Sequence, residues 1–337
     1  GCMPGGLAIV ALTACAFFTA FSGASGVTIL ALGGLLYPIL RGENYSKNFS
    51  LGLLTSSGSL GLLFPPSLVI LLYGIVAGVS IEQLFMAGLV PGLLLLFMLA
   101  VYSAVVSRHI GISPRPFSLP VLFSALRTGM WDLLLPIGIV VGLFGGYLTA
   151  TEAASCSAAY ALLLETVIHR RLVSVSQLYE IFRETIILVG SVLIILGIAL
   201  GLTNLLIDAQ IPMKILAALE QGVSSQLQFL LLLNAFLLVV GCMMDIFSAI
   251  IVVVPLILPL AQRFGVDPVH LGIVFLANLE IGYLTPPVGI NLFLASQRFK
   301  EPMLNLFRAA LPFLLIMLIW LALVTYLPHL SLWWKKI

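Results

Sequence analysis

Long apolar runs separated by short polar stretches dominate this chain. Some runs reach the roughly 20 residues that a membrane-spanning helix needs, and others are shorter or interrupted. The pattern predicts spans at 88–107 and 302–326, further scaffold spans within 131–208, and two long helices at 5–40 and 226–262, each broken near its middle by small residues. We also expect an interfacial piece at 82–87, a polar connector with a surface helix at 108–130, a short amphipathic piece at 211–221 and a tail at 327–337.

Two proline pairs interrupt apolar runs that are each too short to cross a membrane alone. Pro65-Pro66 lies within residues 47–77, and Pro286-Pro287 lies within residues 267–299. Half-length runs joined at such a pair are typical of re-entrant hairpins, whose tips survive at membrane depth only under a cover of protein or beside a water-filled cavity. Two interrupted segments in corresponding halves of a chain point to the binding site of a secondary transporter. We therefore predict hairpins at 47–77 and 267–299.

An offset of 221 positions relates the two halves of the chain. Proline occupies roughly one position in twenty by chance, so repeated coincidences at one offset indicate an internal repeat. The first repeat would be incomplete and cover 1–107, and the second would cover 131–326. Because residues 131–225 have no counterpart upstream, we expect the chain to be a fragment or one piece of a divided polypeptide. The related pairs are Gly61 and Gly282, Pro38 and Pro259, Pro65 and Pro286, Pro66 and Pro287, and Pro91 and Pro312.

Composition fixes the broad class. Apolar residues make up 61% of the chain and charged residues 8%, against about 25% charge in typical soluble proteins. Helix-length runs favour a helical bundle over a β-barrel, so we predict an all-α polytopic membrane protein. No pair of aspartates or histidine-rich motif lies within the spans, so we do not expect an enzyme, a cofactor or any metal site other than one for Na⁺.

The predicted crossings place the two hairpins on opposite faces of the membrane. Five crossings separate them, and an odd number gives an inverted repeat. Ten of the 15 Lys and Arg residues would lie on the face of the second hairpin, which is therefore expected to enter from the cytoplasm. The five assigned to the other face are Arg41, Lys47, Lys214, Lys335 and Lys336.

The predicted breaks and hairpin tips suit an anion together with cations. Helices that begin near Pro66 and Pro287 would direct free N–H groups and positive dipole ends at the protein centre, where they attract a carboxylate. Unpaired carbonyl groups at the breaks, with the hydroxyl groups of Ser22, Ser25, Ser57 and Thr285, suit a hard cation such as Na⁺. The expected substrate-binding residues are Thr28, Pro65, Pro66, Ser67, Asn278, Pro286 and Pro287.

Three acidic residues leave alternatives open. Asp245 lies in the second break, where it either binds a cation or caps the following helix, and both roles are compatible. Glu152 either completes a capping box with Thr149 or faces the transport core. Glu280 either binds a proton or faces a hydrogen-bond donor from a neighbouring helix.

Several phrases of this sequence resemble the large membrane subunit of tripartite ATP-independent periplasmic (TRAP) transporters. The resemblance covers nearly the whole chain in order. Two departures from the family pattern are Ala24, where the family often has Ser, and Ala150, where it usually has Pro. The matching phrases are Ser22-Gly23-Ala24-Ser25, Gly58 through Ser67, Gly88 through Gly92, Gly145 through Ala154, Gly241 through Asp245, Gly265 through Pro268, and Thr285 through Gly289.

The resemblance implies an elevator-type importer in a bacterial inner membrane that carries small organic acids by Na⁺ symport. It also implies two partners, a small four-helix membrane subunit and a periplasmic substrate-binding protein. By analogy, one Na⁺ site would use Ser22, Gly23, Ser25, Ser57 and Gly61, and a second would use Gly241, Asp245, Gly282 and Thr285. The alternative is a cation-coupled carboxylate symporter that works without a binding protein.

Overall fold

The computed structural model describes residues 5–110, 119–170, 174–208 and 225–335. The regular structure over these ranges is helical. The chain divides into unit 1, Gly1–Pro116 with Ile207–Ile337, and unit 2, Phe117–Leu206. The α-helices are α1 (Gly6–Ser22), α2 (Ser25–Gly42), α3 (Lys47–Ser57), α4 (Leu68–Ala77), α5 (Ile81–Ile110), α6 (Leu119–Thr128), α7 (Met130–Phe144), α8 (Ala150–Leu163), α9 (Val175–Asp208), α10 (Gln226–Met243), α11 (Ile246–Arg263), α12 (Pro268–Gly282), α13 (Ile290–Phe299) and α14 (Met303–Tyr326).

Five described helices are long and apolar enough to cross a membrane, namely α2, α5, α10, α11 and α14. The segment that joins α3 to α4 through a 3₁₀ turn at Leu60–Leu63 would make a sixth crossing. The predicted all-α polytopic class is therefore confirmed.

Both predicted helix breaks are present in unit 1. The first separates α1 from α2 at Gly23, which has φ 66° and donates its N–H to the carbonyl of Thr19 over 2.8 Å. Glycine accepts this left-handed conformation without the steric cost that a Cβ would add. The second break separates α10 from α11 at Met244 and Asp245, and Asp245 caps the start of α11.

Helices α1 and α2 form an antiparallel pair whose outer ends both lie at the carboxyl end of α5, here called the Ile110 end. A Cβ on Gly5 would come within 2.9 Å of the Cα of Ala104, and Ser107 donates a hydrogen bond to the Tyr45 hydroxyl over 3.0 Å. Helices α10 and α11 likewise turn back on each other. The side chain of Gln226 donates to the carbonyl of Gly265 over 3.1 Å, so the outer ends of this second pair also meet.

The two segments with proline pairs follow a different path. Near its start, α3 places Phe49 against Tyr102 at the Ile110 end, whereas the Tyr73 hydroxyl of α4 donates to the carbonyl of Pro268, and α4 leads to Ile81 at the opposite end, here called the Ile81 end. The α3 and α4 directions differ by 45°. This is the geometry of a bent, continuous path through unit 1, and it differs from the predicted hairpin at 47–77.

The segment at 267–299 passes through unit 1 in the opposite direction. Its start is tied to the C-terminal tail by an ion pair of 2.9 Å between Asp267 and Lys335, and its end is tied to the Ile110 end by an ion pair between Glu301 and Lys47. The pairs whose outer ends meet in unit 1 are therefore α1–α2 and α10–α11, whereas the two proline-pair segments run on. A helix break allows the chain either to turn back or to carry on, and tertiary contacts decide which occurs.

These paths also change the predicted distribution of charge in unit 1. Arg41 and Lys47 were expected opposite Arg298 and Lys300, but the Lys47–Glu301 ion pair places all four at the Ile110 end. Arg263 closes α11 at the Ile81 end.

The internal repeat has a structural counterpart in the packing of two glycines. A Cβ on Gly61 would lie 2.4 Å from the Ala20 nitrogen of α1, and a Cβ on Gly282 would lie 2.4 Å from the carbonyl carbon of Gly241 in α10. The 221-residue offset takes Gly61 to Gly282 and Ala20 to Gly241. Equivalent glycines therefore make equivalent backbone contacts in the two halves.

Helix α5 is continuous through Pro91, so the piece predicted at 82–87 and the span predicted at 88–107 form one helix. Trp320 of α14 donates its indole N–H to the carbonyl of Pro91 over 2.8 Å. A proline inside a helix removes one backbone hydrogen bond, and at Pro91 this does not end α5.

Unit 2 contains the predicted surface helix and the described helices α7, α8 and most of α9. The Tyr160 hydroxyl of α8 donates to the carbonyl of Trp131 in α7 over 2.8 Å. Thr149 and Glu152 form a reciprocal capping box, with the Thr149 N–H donating to the Glu152 carboxylate over 2.8 Å, which confirms the structural interpretation of Glu152. The amphipathic piece predicted at 211–221 lies outside the described residues.

Candidate functional site

A cavity of about 360 Å³ lies in unit 1 between the tips of the two antiparallel helix pairs. Cavities that bind small ligands are usually about 300–1,000 Å³ in volume. The cavity is therefore large enough for a small organic molecule. Its lining residues are Gly23, Ala24, Ser25, Gly26, Val27, Leu30, Leu62, Asp245, Ile246, Phe247, Tyr283, Ile290 and Leu294.

Two helices begin at the cavity wall. Helix α2 starts at Ser25, and its N-cap residue, Ala24, provides no side-chain hydrogen bond to the first turn. Helix α11 starts at Ile246, behind Asp245. The first N–H groups of a helix lack partners within the helix and form a favourable site for an anion. From the sequence, the anion-attracting helix starts were predicted at the two proline pairs. In the structure, the helix starts at the cavity are those of α2 and α11.

Asp245 lines the cavity and caps α11 at the same time. Its carboxylate accepts a hydrogen bond from the Ser248 N–H over 2.9 Å and another from the Ser248 hydroxyl. The capping interpretation is therefore confirmed. A carboxylate has about four lone-pair positions, so capping leaves oxygen lone pairs for a further ligand.

The tip that contains Asp245 is fastened to the second proline-pair segment. The Ile246 N–H donates to the Tyr283 hydroxyl over 2.7 Å, and the Gly289 N–H donates to the carbonyl of Cys242 over 3.3 Å. Tyr283 was not among the predicted site residues, although it directly follows the repeated glycine, Gly282. Its phenol ring lines the cavity and holds the tip in place.

The first tip is fastened through Thr19, which the sequence analysis also missed. The Thr19 hydroxyl lies 2.6 Å from the Thr28 hydroxyl and 2.8 Å from the carbonyl oxygen of Gly58. These three oxygens come from α1, α2 and the end of α3 and are buried. The one feature of the sequence that could have identified Thr19 is its position one turn before the break at Gly23.

The structure brings three of the nine predicted Na⁺ ligands to the cavity, namely Gly23, Ser25 and Asp245. Ser22 donates to the carbonyl of Ala24 over 3.4 Å at the same tip. The other five do not line the cavity. Gly61, Gly241 and Gly282 make close helix contacts, Ser57 donates to the carbonyl of Leu54, and Thr285 donates to the carbonyl of Ile281.

None of the seven predicted substrate-binding residues lines the cavity. Thr28 is bonded to Thr19, and Asn278 donates to the Asn234 side chain over 2.7 Å. The hydroxyl of Ser67 is buried and has no hydrogen-bond partner. The remaining four residues are Pro65, which is buried, Pro66, which is half-buried, and Pro286 and Pro287, which are exposed.

Comparison with known proteins places this architecture in a family. Residues 1–330 match the family model described as "Tripartite ATP-independent periplasmic transporter, DctM component". The chain is 37% identical over 333 residues to a C4-dicarboxylate TRAP transporter large permease protein of Pseudomonas aeruginosa, covering 98% of this chain and 78% of that protein.

Two further relatives carry different substrate names. An isethionate TRAP transporter permease of Oleidesulfovibrio alaskensis is 35% identical over 330 residues, which cover 97% of this chain and 52% of that protein, so the chain spans about half its length. An ectoine TRAP transporter large permease of Halomonas elongata is 33% identical over 338 residues, covering all of this chain and 79% of that protein. The relatives are transporter permeases and not enzymes. The chain therefore belongs to the family of TRAP transporter large membrane subunits, as its sequence phrases and helix breaks indicated.

Proposed function

We propose that this chain forms the substrate and ion pathway of a Na⁺-driven importer of a small organic acid. The observation that carries the proposal is the cavity between the two tips, which combines the uncapped start of α2 with the Asp245 carboxylate. The start of α2 attracts an anionic group of the substrate. Asp245 would repel that group unless a cation neutralises it, and this requirement couples the binding of the two ions.

We propose Na⁺ sites at both tips. At the second tip, Asp245 supplies a carboxylate oxygen. At the first, Ser25, Thr19, Thr28 and Gly58 supply neutral oxygen ligands, and oxygen is the donor atom that a hard cation prefers. Gly61, Gly241 and Gly282 contribute by letting helices approach closely behind the tips.

The α1–α2 and α10–α11 pairs are the re-entrant hairpins in this proposal, and the proline-pair segments are the broken spans. Arg41, Lys47, Arg298 and Lys300 gather at the Ile110 end, so we assign that end to the cytoplasm. The first hairpin then enters from the cytoplasm and the second from outside, in the inner membrane of a bacterium.

Both tips belong to unit 1 and are tied to its broken spans, which supports an elevator-type movement in which the tips travel with their ligands. Cysteine substitution at Val27, which lines the cavity and is 48% exposed, tests this movement. Labelling from each side of the membrane should change in opposite directions when Na⁺ and substrate are added. Labelling from one side only under every condition would contradict the movement.

A small four-helix membrane subunit and a periplasmic binding protein complete the proposed importer. Both follow from membership of the family, and the binding protein would select the substrate. The alternative is a symporter that works without a binding protein.

Uptake of labelled substrate into proteoliposomes tests the proposal. A Na⁺ gradient should drive uptake only when the binding protein is added, and D245N should reduce it strongly while S248A, which leaves the carboxylate in place, reduces it less. Uptake without the binding protein would favour the alternative. Equal uptake with Na⁺ and choline gradients would overturn Na⁺ coupling.

A further inference from the structure

Buried polar atoms without hydrogen bonds are concentrated in the two proline-pair segments. Among the described residues, seven have such side-chain atoms, and six of the seven lie between residues 56 and 67 or between 278 and 291. In native structures nearly every buried polar group has a partner, so each exception requires an explanation such as a bound ion or water. The seven are Ser56, Ser59, Ser67, Ser103, Asn278, Glu280 and Asn291.

Glu280 is the exception with the largest energetic consequence. It is 0% exposed and is the one carboxyl group among the buried side chains of the described ranges. Neither of its carboxyl oxygens makes a hydrogen bond, and none of the ion pairs found among the described residues includes it. An uncompensated buried carboxylate costs several kcal/mol by order of magnitude.

The Ser59 hydroxyl is the polar neighbour of Glu280. Its oxygen is buried and without a hydrogen-bond partner, as are both carboxyl oxygens of Glu280. Ser59 precedes the 3₁₀ turn at Leu60–Leu63, which packs against α12. The 221-residue offset relates Ser59 to Glu280, so equivalent positions of the two halves meet where the two broken spans cross.

A buried carboxyl group can be compensated by a proton or by a bound cation. Neither a proton on Glu280 nor the Ser59 O–H forms a hydrogen bond between the two groups, so both are left without a partner. Carboxylate and hydroxyl oxygens are ligands that a hard cation prefers, so one bound cation would provide a partner for both groups.

We propose that Glu280 and Ser59 form a binding site for a monovalent cation of the Na⁺ class, separate from the two sites proposed at the tips. The site joins the two broken spans at their crossing. Glu280 does not line the cavity that contains Asp245. A cation held here neutralises the buried carboxylate and stabilises the contact between the two halves of the repeat.

Equilibrium binding of radioactive Na⁺ to the purified transporter that contains this chain tests the site. We expect E280Q to lose one bound Na⁺ per chain, and S59A, which removes one neutral ligand, to weaken the affinity of that ion by about tenfold. S103A is the matched control, because Ser103 is also buried with an unpaired hydroxyl but lies in α5. It should leave Na⁺ binding unchanged.

D245N separates this inference from the proposed function. If both are right, D245N and E280Q each remove one ion, and the double variant removes two. Loss of an ion in D245N but not in E280Q or S59A would overturn the Glu280 site and leave the proposed function intact.

Infrared spectroscopy provides a readout that does not depend on transport or on the folding of E280Q. In wild-type protein with glutamate labelled with heavy carbon in its carboxyl group, saturating Na⁺ should give only carboxylate bands. A labelled carboxylic-acid band that persists in saturating Na⁺ would show that Glu280 holds a proton, which would overturn the cation site.

Discussion

The contact between Gly282 and Gly241 gives a sharp prediction about how the second hairpin is held. In G282A, the added methyl group would lie 2.4 Å from the Gly241 carbonyl carbon and 2.5 Å from its Cα. Both atoms belong to the backbone of α10, which cannot yield by rotating a side chain. Helices α10 and α12 would therefore have to separate, and the movement would be carried to the Asp245 tip one turn further on.

The size of the effect follows from two opposing contributions. Overpacking of a buried contact costs about 1–3 kcal/mol, and a clash with backbone belongs at the upper end of that range. Replacing Gly by Ala in a helix gains about 1 kcal/mol. We expect a net loss of about 2 kcal/mol and a fall in thermal midpoint of roughly 5 °C.

The assay compares thermal midpoints of the purified transporter in NaCl and in choline chloride. G42A is the matched control, because Gly42 also ends a helix and a Cβ there would meet nothing within 4 Å. G61A, at the equivalent contact of the first repeat, should behave like G282A. If G282A has the same thermal midpoint as G42A and wild type, the close approach of α10 and α12 does not hold the tip. Equivalent glycines would then not have equivalent structural roles in the two halves.

Three further changes test individual contacts. D245N should reduce the Na⁺-specific rise in thermal midpoint while keeping the helix cap, since Asn caps as well as Asp; an undiminished rise would exclude Asp245 as a ligand. Y283F leaves the buried Ile246 N–H unpaired and should cost about 1–3 kcal/mol, measured by chemical unfolding. Burial opposes ionisation of Asp267, but the Lys335 ion pair and backbone N–H groups outweigh it and hold the pKa of Asp267 below its ordinary value. The stability that this shift contributes is present above the pKa of the unfolded carboxyl and is lost as the pH falls through the folded pKa. The thermal midpoint of D267N should therefore depend less on acid pH than that of wild type. D267A should be about 1 kcal/mol less stable than D267N, because the helix cap is also removed.

Patterns that act over short distances were recognisable in the sequence, although capping was one of two interpretations at Asp245 and Glu152. The break at Gly23 and the caps at Asp245 and Thr149 depend on residues within one helical turn, so the local sequence specifies them. The membrane class follows from apolar runs whose length must match the bilayer. The 221-residue repeat was visible because proline and glycine are constrained by backbone geometry, which both halves share.

The direction of the chain after each break was decided only by the tertiary structure. A glycine break and a proline pair both interrupt a helix, and neither dictates whether the next helix turns back or continues. Contacts far apart in sequence settled this point, such as Ser107 with Tyr45 and Tyr73 with Pro268. The cavity depends on the same long-range packing. It is lined by Ser25 and Asp245, which local pattern identified, and by Tyr283, whose role arises from a hydrogen bond to a helix 37 positions away.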